Sequence, residues 1–124
     1  MANRFEGRGN LGSDPVLKYV DVAGEKRAVC EMRVYFDRQV KDGEDWKEQG
    51  GFWLKVSYWG KRAEQAGKVL VKGCRVFVVG TLVQDTWTDK ETGEEKSRLV
   101  LDADSVDIDL MRVESVRFVE KRGE

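Results

Sequence analysis

Residues 52–61 read FWLKVSYWGK, a stretch with two indoles, Trp53 and Trp59, and the ammonium of Lys55 between them. In an extended strand, side chains two residues apart share a face. Trp53, Lys55, Ser57 and Trp59 therefore point one way, and Phe52, Leu54, Val56 and Tyr58 point the other. The second set is a core face. The first is a row that can stack flat rings and hold anions. Single-stranded nucleic acid asks for that combination, because its bases stack on aromatic rings and its phosphates meet cations. The competing use of such a row is packing against a neighbouring subunit. Arg33 and Tyr35 form a second cation–aromatic pair on an earlier run, and Lys61 and Lys72 follow as further candidate phosphate contacts. Trp87 opens the polar run WTDKETGEEKSR, as a stacking residue or a hairpin anchor. Trp46 lies in the charged stretch DRQVKDGEDWKEQGG, where it has no evident core to enter and is either a contact residue or folded back on the domain.

Other chemistries find little support. The chain has no histidine, which removes Ser-His and Cys-His nucleophiles and any histidine metal site. Its two cysteines, Cys30 and Cys74, each sit in an apolar alternating run and read as buried free thiols. Asp102, Asp104, Asp107 and Asp109 alternate faces and read as a solvated strand edge, not as a metal site. With no nucleophile–base pair, phosphate loop or ligand cluster, the expectation is a protein that is not an enzyme and uses no metal or cofactor. Twenty-two basic side chains balance 23 acidic ones, so any positive field must be local. No apolar run is long enough to span a membrane, and MANRFEGRGN carries no segment of signal-peptide type, so a soluble cytoplasmic protein is expected.

The elements that must position these residues are mostly strands. Residues 4–13 are glycine-rich; Phe5 and Leu11 suit a first strand, with Gly7 and Gly9 marking a bulge or a close backbone approach. Ser13-Asp14-Pro15 turns the chain into a short extended run over 16–22. Residues 27–36 alternate cleanly, with Ala28, Cys30, Met32, Val34 and Phe36 on the apolar face. Asp42-Gly43 and Thr92-Gly93 mark hairpin tips. Residues 61–71 switch to helical spacing, with Ala63, Ala66, Gly67 and Leu70 on one face and Gly73 as the stop. Residues 74–83 are apolar on both faces, and Gly80 marks a bend there. Residues 97–101 return, and Val106, Ile108 and Leu110 form a last strand. The pattern predicts an all-β, five-stranded OB-fold barrel with one helix between strands 3 and 4 and two extended hairpins.

Three blocks, GNLGSDPVLKYV, FWLKVSYWGKRAEQAGKVLVKGCRVFVVGTL and WTDKETGEE, resemble the bacterial single-stranded-DNA-binding proteins, in that family's order and over most of the chain. The resemblance implies base stacking at Trp53, Trp59 and Trp87, and a homotetramer built as a pair of dimers. It places the protein on single-stranded DNA in replication, recombination, repair or conjugative transfer, associated with the nucleoid. The sequence also departs from the family. Asp37-Arg38-Gln39-Val40 stands where a further stacking tryptophan is common, with Trp46 a few residues later, and Asp85-Thr86 stands where basic residues usually precede the Trp87 position. Residues 1–112 read as the DNA-binding domain and 113–124 as a short extension without an acidic tip. That suggests a tail-less variant of plasmid or mobile-element type, able to form mixed tetramers with a host's tailed relative. A second class of function stays open, an OB-fold adaptor of the priming machinery whose aromatics contact protein.

Overall fold

The computed structural model describes residues 3–121; the first two residues and 122–124, the end of the expected extension, lie outside the described part. Eight strands run β1 (Phe5–Leu11), β2 (Val16–Val22), β3 (Glu25–Phe36), β4 (Gln39–Asp42), β5 (Asp45–Glu48), β6 (Phe52–Trp59), β7 (Arg75–Thr88) and β8 (Glu95–Ile108). The one α-helix among the described residues, α1 (Lys61–Val69), follows β6. It was expected between a third and a fourth strand. The count differs because β1 and β2 are separate strands and the stretch before β6 folds into a small ribbon of its own, β4–β5, apart from the main sheet.

The main sheet has the order β1-β7-β8-β6-β3-β2, and β1 also pairs with β3. Five strands therefore form a closed ring, with β2 added on the outer edge of β3. The seam between β1 and β3 is three pairs long: Gly9↔Phe36, Asn10↔Tyr35 and Leu11↔Val34. A Cβ on Gly9 would collide with the Tyr35 carbonyl, so the seam closes only because that residue has no side chain. The close approach expected at Gly7 and Gly9 is thus found at Gly9. Arg75 clasps the same end. Its guanidinium donates to both carboxylate oxygens of Asp37, at 2.7 and 3.2 Å, and to Asn10, and it lies 3.7 Å from Asp109.

The ring is filled as period-2 alternation requires. Cys30, Met32, Val34 and Phe36 of β3 meet Leu54, Val56 and Tyr58 of β6, Val76 and Val78 of β7, and Leu101 and Ala103 of β8. The helix supplies Ala63, followed by Leu70, to the same core. Phe52, expected on this face, is 47% exposed, because it begins β6 at the rim, edge-on to Phe5 and tilted against Phe36. The two runs expected at 97–101 and 106–110 are one strand, β8, and Leu110 lies beyond it in a short 3-10 turn. The aspartates do not break the strand, since Asp102 faces out while Leu101 and Ala103 are buried. The register skips Asp104 opposite Val79 and Gly80, a bulge that bends the long β7–β8 pair where a bend was expected. Beyond the bulge the two strands stay paired out to Thr88↔Glu95, an arm whose far half is exposed.

Candidate nucleic-acid interface

The outward face of β6 carries Trp53, Lys55, Ser57 and Trp59, and β3 sets Tyr35, Arg33, Glu31 and Val29 directly across from them. On the other flank, β8 runs parallel to β6 and places Val100 and Asp102 beside Lys55 and Ser57. Alternation and pairing thus assemble one continuous face from three strands.

Trp53 is held in place. The Tyr35 ring lies 5.2 Å away at 57°, and the Arg33 guanidinium sits 5.2 Å from the indole centroid. A Cβ on Gly12 would collide with the far edge of the same indole, so the glycine backbone gives the ring its seat. Half of the Trp53 surface stays exposed. The Glu48 carboxylate near the Tyr35 hydroxyl pushes the phenol pKa up, chiefly through a hydrogen bond. A Cβ on Gly51 would collide with the phenol ring. Trp59, 42% exposed, ends β6 next to Lys61, the first residue of α1, and the two line a shallow groove together with Arg62. Gly60 makes this junction, with φ of 103°.

Lys55 lies between the indoles, and its Nζ is 2.7 Å from Glu31 Oε2. The other oxygen of Glu31 is 2.6 Å from Lys18 Nζ. Hydrogen bonds from Lys18, then Lys55, hold the Glu31 carboxyl below the usual range, against the effect of burial. Trp87 sits on the β7–β8 arm opposite Lys96, and the Arg98 guanidinium lies 5.3 Å from its ring centroid. Arg98 lines the same groove as Arg33 and Lys55, so the base of the arm borders the Trp53 face.

The fold therefore brings together Trp53, Lys55, Trp59, Arg33, Tyr35 and Lys61. Trp87 joins them through Arg98 and the arm. Trp46 is 66% exposed on the β4–β5 ribbon, cross-strand from Lys41 and outside the main sheet. Lys72 lies on the turn after α1, where its backbone N–H donates to Asp14 at 2.8 Å; it is not part of the β6 face. Sequence reasoning missed Lys18, Glu31 and Arg98. Glu31 lay in view between Val29 and Arg33, but nothing in the sequence paired it with lysines on two other strands. Asp109, read as part of a solvated edge, instead sits against Arg8 and Arg75 and caps the turn at Met111. Among the described residues no group of three potential metal ligands occurs, and Cys30 and Cys74 are both free. No helix among them is long and apolar enough to cross a membrane.

The sequence model of the Single-strand binding protein family matches residues 2–109. The chain belongs to that family. A single-stranded DNA-binding protein of Treponema pallidum is 33% identical over 100 residues, covering 81% of this chain and 53% of that protein. Single-stranded DNA-binding protein 1 of a Nostoc species is 30% identical over 100 residues, covering 81% of this chain and 76% of that protein. The chain thus spans about half the length of the first relative and three quarters of the second. A crystal structure of the small single-stranded DNA-binding protein from Streptomyces coelicolor superposes with a TM-score of 0.73 at 22% identity, over 91% of this chain and 99% of that one. The ring of strands is accordingly a fold shared with that protein.

Proposed function

We propose that this chain binds single-stranded DNA without sequence preference, stacking bases on Trp53 and Trp59 and meeting phosphates with Lys55, Arg33 and Lys61. The observation that carries the reading is the row on β6, where two half-exposed indoles flank a lysine and one indole is preset by Tyr35, Arg33 and Gly12. Stacking gives affinity for any base, since every base has a π-face, and a preset ring loses little freedom on binding. Trp87, with Arg98 over it, extends the path along the arm, and Trp46 and Lys72 are secondary contacts. Membership of the family supports a binding role without catalysis and does not favour the adaptor reading.

Within this proposal the ring is an OB-type barrel spanning residues 1–112, with 113–124 as an extension. The protein works in the cytoplasm on nucleoid DNA, in replication, recombination and repair. It assembles as a homotetramer, a pair of dimers, and can mix with a homologous subunit. The supporting feature is β7, where Phe77 and Val79 face outward while Val76 and Val78 fill the core. Titrating the tryptophan fluorescence with oligo-dT and with mixed-sequence oligomers tests the central claim. Saturable quenching with similar affinities is expected, with log K falling linearly against log salt. Absence of quenching, or binding insensitive to salt, would overturn it.

A further inference from the structure

Beside the tryptophan row lies an open groove of about 290 Å³ whose lining includes Lys18, Arg33, Lys55 and Arg98, four cations contributed by four different strands. Two carboxylates share it, Asp14 and Glu31. Asp14 is occupied elsewhere, accepting the Lys72 backbone N–H. Glu31 is not. One of its oxygens meets Lys18 at 2.6 Å and the other meets Lys55 at 2.7 Å. A group with two anionic oxygens bridging two ammonium groups has the same donor–acceptor pattern as the two non-bridging oxygens of a phosphodiester.

We propose that Glu31 is an internal surrogate for a backbone phosphate: it holds Lys18 and Lys55 in position in the unliganded protein and gives them up when a phosphodiester enters the groove. This rests on the DNA-binding reading above and adds to it the location of a phosphate subsite and the residue that sets its strength. The site is built for exchange. Lys55 stands between Trp53 and Trp59, so bases stacked on the indoles bring the strand's phosphates to it. Glu31 cannot withdraw into the protein, because its neighbours Cys30 and Met32 occupy the core side of β3. Once displaced, it stays beside the bound phosphate and needs a cation from solution. That uptake offsets part of the counterion release that drives binding. Glu31 therefore weakens the complex and flattens its salt dependence, while keeping two lysines ordered before DNA arrives.

The test compares wild type with Glu31→Gln, which keeps the size but removes the charge and one of the two acceptor oxygens, by oligo-dT titration over a series of KCl concentrations. Each partly exposed ion pair given up in wild type is worth a small factor, so Glu31→Gln should bind about two- to thirtyfold tighter at fixed low salt. Its log–log salt slope should be steeper by about 0.7. Adding Lys18→Gln to Glu31→Gln should remove most of that gain. A folded Glu31→Gln protein with unchanged or weaker affinity and a lower melting temperature would show that the two pairs only brace β2, β3 and β6, and would overturn the proposal. Should Glu31→Gln fail to fold, Glu31→Asp, too short to bridge both lysines, must show the gain in part, and no gain there overturns the proposal equally. Wild type that binds no oligo-dT would sink the DNA-binding reading itself, whereas equal binding by both proteins sinks the surrogate alone.

Discussion

Single side chains carry the interface, and their effects separate cleanly. Each stacked base is worth about 1–3 kcal/mol by alanine substitution, so Trp53→Ala and Trp59→Ala should each weaken oligo-dT binding by roughly five- to a hundredfold. Both should stay folded, because the opposite face of β6, with Leu54, Val56 and Tyr58 buried, carries the core. Circular dichroism beside the titration checks this. An unchanged affinity with a collapsed oligomer would mean that the indoles face a subunit. Gly12→Ala offers a finer test. The new methyl would collide with the far edge of the Trp53 ring and push it off its seat, so DNA affinity should fall severalfold while circular dichroism shows the protein still folded. Lys55→Ala should give a modest loss with a salt slope shallower by about 0.7, since it removes one phosphate contact and leaves both platforms in place.

Among the elements, β3 and β6 were the most legible in sequence, because strict alternation with one apolar face admits only one assignment. The helix was legible from Ala63, Ala66 and Leu70, and both hairpin tips from Asp42-Gly43 and Thr92-Gly93, whose glycines take φ of 66° and 73°. The pattern predicts two runs where β8 is one strand, because the bulge at Asp104 shifts the alternation between Ala103 and Val106 and only the pairing with β7 shows that the strand continues. The pairs of Glu31 with Lys55 and of Asp109 with Arg8 and Arg75 were illegible for a related reason: their partners are 24 to about 100 residues apart and meet only through the ring's register, while the Lys18–Glu31 pair needed the register of the β2–β3 hairpin. Trp53, Lys55 and Trp59 needed no register, because one strand already aligns them. Val56 lies fully buried at the middle of β6. Val56→Asp should therefore place an unpaired charge in the core and leave the protein unfolded at neutral pH by circular dichroism.

At the scale of the whole molecule, stability should depend on acid in a specific way. The Asp37 carboxyl, 8% exposed, is held below the usual aspartate range, first by its hydrogen bonds with Arg75. A depressed folded-state pKa stabilises the protein above the unfolded value, near 4, and that contribution is lost as pH falls through the lower folded value. Glu31 shifts in the same direction and acts over the same acid window. Asp37→Asn should thus cost about 1–3 kcal/mol at pH 7 and progressively less below pH 4, where wild type loses the same pair. Urea melts at a series of pH values read this out, and a cost that does not change with pH would contradict the assignment. Assembly belongs to the same scale. Light scattering at micromolar concentration should give four subunits, and a monomer would remove the role proposed for the outer face of β7.

The three-pair seam between β1 and β3 has a consequence for how the protein is made. β1 leaves the ribosome first, yet most of its pairing is with β7, some seventy residues later in the chain, from Phe5↔Gly80 to Asn10↔Arg75. β6 waits for β8 in the same way. At about 5–20 residues per second, the nascent chain holds Phe5 and Leu11 without their final partner for several seconds. During that time the short contact with β3 is the only native pairing open to β1. Substitutions that weaken it, such as a side chain at Gly9, should therefore lower the yield of soluble protein during synthesis more than they lower the melting temperature of whatever protein survives.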